Sequence, residues 1–103
     1  MHPLEVIFKK AVEQVASGKG NERHGDGGDF MIQPWVNITR LHGRGFLTGQ
    51  AQKKLEEAVR NRVGHNYEWY ERELLGAINY LAMALLAEYE IGKILRRNYI
   101  DYY

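Results

Sequence analysis

Apolar residues recur along this chain at the three-to-four spacing of helices, and nowhere at the alternation of strands over a useful length. Leu4, Ile7, Phe8, Ala11 and Val15 share one face of the stretch 3–17, and Pro3 suits a first turn, so a first helix is expected there, stopping at Ser17-Gly18. Gln33-Pro34-Trp35 opens a second, short helix, and Trp35, Ile38 and Leu41 keep the spacing up to the break His42-Gly43-Arg44-Gly45. From Phe46 onward Leu47, Ala51, Leu55, Ala58 and Val59 make the apolar stripe of a third helix, with Gln50, Lys53, Lys54, Glu56, Glu57 and Arg60 on its wet side. Asn61 to Gly64 reads as a second break, and Tyr67 to Arg97 as one long helix. Between Leu74 and Ala87 that helix is apolar nearly all round, so other helices or a partner subunit should cover it. The expectation is one all-α domain over 1–103, about four helices, ending in a short tail at 98–103 and assembling as a homo-oligomer, dimer or higher.

Glycine changes this picture most. Eleven glycines stand against two prolines, and Gly18 to Gly28 reads GKGNERHGDGG, with five glycines and no aliphatic residue. Such a run neither propagates a helix nor buries itself, so 18–32 is expected to be a glycine-rich loop between the first two helices. The net charge of +1 argues against duplex nucleic acid or a membrane surface as partner. Glu5, Lys9, Lys10 and Glu13 interrupt any signal-peptide core, and Leu74–Ala87 falls short of the roughly 20 residues that span a bilayer, so a cytoplasmic protein is expected. With no cysteine, only oxygen and imidazole chemistry remain, and oxygen-ligated magnesium is the one metal worth testing.

Two places have the makings of an anion site. Lys19, Arg23 and His24 lie among glycines whose N–H groups can approach a ligand closely, a combination that suits phosphate, although the run matches neither nucleotide-binding glycine fingerprint and solvated chain is the competing reading. His42 and Arg44 flank a helix start that aims free N–H groups outward, with Gln50, Lys53 and Lys54 following on the same helix; a plain packing corner is the alternative. Asn79 interrupts an apolar face and needs a partner, a ligand edge or another helix. Trp35, Trp69, Tyr70 and Tyr80 are candidates to stack on a nucleobase, unless they belong to the core. The carboxylates available to a metal are Glu56, Glu57, Glu68, Glu71 and Glu73.

Glu56-Glu57 on one helix, followed by Glu73-Leu-Leu-Gly-Ala-Ile-Asn-Tyr-Leu-Ala on the next, resembles the MazG-like all-α nucleotide pyrophosphohydrolases. In that family a Glu-Glu-x-x-Glu helix and a Glu-x-x-Asp helix hold magnesium while water attacks a nucleoside triphosphate. Arg23-His24-Gly25 with Gln33-Pro34-Trp35 is similar to phage proteins of the dATP/dGTP diphosphohydrolase-like kind. The segments GKGNERHG, QPW, GRGFLTGQAQKK and ELLGAINYLA look like small bacteriophage proteins over most of residues 5 to 90. The resemblance implies a MazG-like helical bundle, a nucleotide ligand and the cytoplasm of an infected bacterium. Arg60 stands where the third glutamate would be and Gly76 where the aspartate would be. The leading expectation is therefore a phage anti-defence protein that sequesters a phosphate-bearing, immune-signalling nucleotide without hydrolysis and without a metal. One alternative is a magnesium-dependent pyrophosphohydrolase using Glu56, Glu57, Glu71 and Glu73. Another is an inhibitor that blocks a host enzyme through the aromatic tail and the last helix.

Overall fold

A computed structural model describes residues 1–17 and 33–90, and four helices make up its ordered elements: α1 (Pro3–Ser17), α2 (Pro34–His42), α3 (Gly45–Val63) and α4 (Tyr67–Glu90). The described residues contain no strand, so the all-α expectation holds for them. The segment 18–32 and everything after Glu90, including the expected continuation of the last helix to Arg97, lie outside the described residues.

α3 and α4 form an antiparallel hairpin that carries most of the packing, α1 lies along α4, and α2 sits against α3. At one end of the hairpin Trp35 and Val36 of α2 close over Leu47 and Ala51 of α3 and Tyr80, Met83 and Ala87 of α4, with Phe46, Ala84 and Leu86 packed around them. Thr39 is fully buried, and its hydroxyl donates to the Trp35 carbonyl at 2.7 Å, so that hydroxyl is not left bare inside. Gly43 ends α2 at φ 79°, ψ −171°, a region only glycine enters cheaply, and its N–H donates to the Thr39 carbonyl at 2.7 Å.

The second break is narrower than the spacing predicts. α3 continues through Asn61, Arg62 and Val63, because the Asn61 amide donates to the Glu57 carbonyl at 2.9 Å and stays within the helix. Gly64 N–H then caps the Arg60 carbonyl, His65 takes a left-handed φ of 62°, and the Asn66 side chain accepts the Trp69 N–H at the start of α4.

α1 is held to α4 by polar bonds as much as by its apolar stripe. Ala11 is the buried contact point, Gln14 donates to the Arg72 carbonyl at 3.2 Å, and Asn79 donates to the Ala11 carbonyl at 2.9 Å. Leu4, Phe8 and Val12 stay about half exposed, since the stripe points off to one side of that contact.

Candidate functional site

Two turns along the hairpin from the Trp35 cluster, the α3–α4 interface changes character. Gly76 stands in the middle of α4, where glycine costs about 1 kcal/mol relative to alanine. The space its missing side chain leaves is used: a Cβ there would meet the Lys54 Cδ at 3.3 Å and its Cγ and Cε at 3.6 Å. The aliphatic stem of Lys54 thus runs across Gly76, and its ammonium arrives 3.2 Å from Glu73 Oε2 and 3.7 Å from Glu57 Oε2. Lys53, one residue earlier, reaches Glu57 only at 4.0 Å and is mostly in solvent.

Glu73 is buried, at 4% exposure, and is the acidic member the surroundings strain most. Burial raises its pKa above the ordinary carboxyl value, and a hydrogen bond with Glu57 raises it further, against the downward pull of Lys54. That same hydrogen bond is the main cause lowering the Glu57 pKa, helped by Lys54, Lys53 and Arg60. The two carboxyl groups titrate as a coupled pair, with Glu73 the weaker acid of the two. Glu73 Oε2 lies within ion-pair distance of Lys54 but off the hydrogen-bond direction, so it makes no hydrogen bond of its own.

The other residues expected to form a site are dispersed. Glu56 is exposed, on a different side of α3 from Glu57, and Glu71 pairs with Lys10 of α1 at 3.7 Å. Only Glu57 and Glu73 of the four carboxylates converge, and no group of three metal-capable side chains occurs among the described residues. Two carboxyl groups with an ammonium already between them do not fit a magnesium site. Arg44 is turned inward, its Nη2 2.8 Å from Glu88 Oε1, which fastens the start of α3 to the end of α4. His42 is exposed and Gln50 half-buried, and Lys19, Arg23 and His24 lie outside the described residues. Trp35 is wholly enclosed and Tyr80 is 6% exposed, so both rings belong to the core and show no face to a base. Asn79 spends its amide on the carbonyl of Ala11.

Aromatic rings do meet cations elsewhere. At the α3–α4 turn the Arg62 guanidinium lies 4.5 Å from the Tyr67 ring centre and 6.0 Å from that of Tyr70, and Arg72 lies 4.6 Å from Trp69. Tyr67 and Trp69 remain substantially exposed. The Trp69–Arg72 pair was legible as an i, i+3 spacing on one helix, whereas Arg62 reaches its tyrosines only because the chain reverses between them.

Comparison of the chain with protein-family models, with curated proteins and with solved structures gave no match.

Proposed function

We propose that this chain binds a phosphate-bearing nucleotide and keeps it intact, acting as a homo-oligomer. The observation that carries this reading is Lys54. Where metal-dependent hydrolysis needs converging carboxylates left open for a divalent ion, the pair that converges among the described residues, Glu57 and Glu73, is occupied by Lys54, for which Gly76 makes room. What remains is a binding protein, with cations to meet phosphate and rings to meet a base. Lys53 and His42 face solvent for the first task, joined by Lys19, Arg23 and His24 of the glycine-rich segment. For the second, Tyr67, Tyr70 and Trp69 with their arginines replace Trp35 and Tyr80 as the stacking surface, where each stacked base is worth about 1–3 kcal/mol. Taken with the likeness to small phage proteins, the use of such binding is sequestration of a host signalling nucleotide in the cytoplasm of the infected cell.

Titration calorimetry with canonical and cyclic nucleotides, with and without magnesium, followed by analysis of the recovered ligand, tests this. Metal-independent binding with the nucleotide returned unchanged is the expected result. Release of pyrophosphate would instead make the chain a hydrolase, and absence of binding to any nucleotide would leave the inhibition of a host protein as the reading to pursue.

A further inference from the structure

Four cations of the described chain are matched by an acid. Lys10 meets Glu71, Arg44 meets Glu88, and Lys53 and Lys54 meet Glu57, with Lys54 reaching Glu73 as well. Arg62 is positioned as definitely but by rings. Its guanidinium lies over Tyr67 at 4.5 Å from the ring centre and 6.0 Å from that of Tyr70, and among the described residues it has no carboxylate within ion-pair distance. The contact joins two helices, since Arg62 stands at the end of α3 and both tyrosines at the start of α4. Arg72 over Trp69 is the weaker case, an i, i+3 neighbour within one helix.

The acids nearest to Arg62 are turned elsewhere. Glu71 is held by Lys10, Glu57 serves the two lysines, and Glu68 lies about 100° round α4 from Tyr67 and about 160° from Tyr70. The turn that brings Arg62 to the rings carries a strain that a glycine would avoid: His65 takes φ 62°, and its N–H donates to the Arg62 carbonyl at 3.1 Å. An exposed imidazole is thus kept on the same turn as the guanidinium.

A guanidinium that spends its face on a ring still has its N–H donors arrayed around its edge, in the fork that matches two oxygens of a phosphate. The rings hold the charge in place beforehand, so less side-chain freedom is lost when an anion binds. Tyr67, 58% exposed, has surface left for a flat partner beside that anion. A phosphate next to a flat ring is the chemistry of a single nucleotide unit.

We infer that the corner between the end of α3 and the start of α4 is a subsite for a nucleoside monophosphate unit, with the phosphate on Arg62 and the base on Tyr67 and Tyr70. The inference rests on the nucleotide reading above and narrows it: the phosphate recognised is the one joined to the nucleoside, and those further along the chain are not read. Such a site is indifferent to phosphate-chain length, which suits a binder and not an enzyme that must tell a triphosphate from its product.

Titration calorimetry of the full chain in magnesium-free buffer is the test, with the adenosine, guanosine, cytidine and uridine 5′-monophosphates, their triphosphates, the free nucleosides and inorganic phosphate. For the base bound most tightly, the monophosphate and triphosphate should agree within about threefold, and nucleoside and phosphate alone should each bind at least about tenfold more weakly. Arg62→Gln and Tyr67→Leu, both at exposed positions, should each weaken the monophosphate at least about tenfold with unchanged helical circular dichroism. Tyr67→Phe, which keeps the ring, and Lys9→Gln, which removes an exposed charge from α1, should stay within about threefold of the wild type. The Leu and Phe pair at position 67 decides the question by itself if Arg62→Gln perturbs the fold. Monophosphate binding that survives both Arg62→Gln and Tyr67→Leu overturns the subsite and leaves the nucleotide reading standing, as does binding confined to the triphosphates. Absence of binding for every nucleotide overturns the two together.

Discussion

The two halves of the α3–α4 interface are built from the same pair of helices on opposite principles. Near the start of α3 the contact is dry and apolar, with Trp35 as a plug from α2 and every buried polar atom of Thr39 satisfied locally. Two turns away a lysine and two carboxyl groups fill the space that apolar side chains fill elsewhere. An apolar contact carries no titratable group and does not respond to pH, while a buried polar cluster is stabilising only when all its members are present and correctly charged. The first half is therefore expected to fix the fold, and the second to set its sensitivity to acid and base.

Removing the plug should have the largest effect. Trp35→Ala leaves a cavity in the apolar half and is expected to cost about 3–5 kcal/mol in urea unfolding, a large part of the stability of so small a domain.

The polar half breaks differently. Lys54→Met leaves two carboxyl groups facing each other without their cation and should cost about 1–3 kcal/mol at neutral pH. Converting all three residues together, to Met at 54 and Leu at 57 and 73, should recover that loss or exceed it, since a whole buried ionic cluster replaced by apolar residues is often neutral or stabilising by about 1–4 kcal/mol. If the triple variant is the least stable of the set, the cluster contributes more than its own desolvation, and the contrast between the two halves is smaller than drawn here.

Acid and base act on the cluster with opposite signs. Glu73, whose pKa is raised in the fold, contributes stability below its unfolded value of 4.5 that is lost as pH rises through the folded value. Glu57, whose pKa is lowered, contributes stability above 4.5 that is lost as pH falls through its folded value. Thermal unfolding against pH should accordingly show a fall on both flanks. Glu73→Gln, which imitates the protonated side chain, should flatten the alkaline flank and leave the acid one in place.

The smallest effect comes from glycine. Gly49→Ala, on α3 with nothing within 4 Å of the new methyl, should stabilise by about 1 kcal/mol through helix propensity alone. Gly76→Ala gains the same propensity but must displace the Lys54 stem, so it should fall short of Gly49→Ala. The shortfall measures what the passage of Lys54 over α4 is worth.

How much of this was legible follows from the range of each interaction. The start of α1 and both ends of α2 fall where the sequence places them, because Pro3, Pro34 and Gly43 act on their immediate neighbours. The end of α3 was misplaced by a few residues: Asn61 looks like a breaker, yet its amide can bond back one turn and stay helical. The all-round apolar character of Leu74–Ala87 was legible, as was the need of Asn79 for a partner. Which partner Asn79 takes was not, since Ala11 is 68 residues away. The candidate site was read least well. Glu57 and Glu73 stood in the sequence as part of an incomplete metal set, with Gly76 as a missing ligand and Lys54 as a surface cation. Only the packing of α3 on α4 shows that the glycine admits the lysine, which the spacing of neither helix reveals by itself. Trp35 and Tyr80 show the same limit, since helical spacing alone does not tell a ring that faces a ligand from a ring that faces the core.

Lys53 and Lys54 are neighbours in sequence and strangers in chemistry. The first holds its amine in water at 65% side-chain exposure, while the second, at 15%, has its amine committed to two acids. An amine-directed acylating reagent should therefore modify the first at the pace of a free lysine and pass over the second until the hairpin opens, so that two adjacent residues become a built-in clock for the separation of α3 from α4.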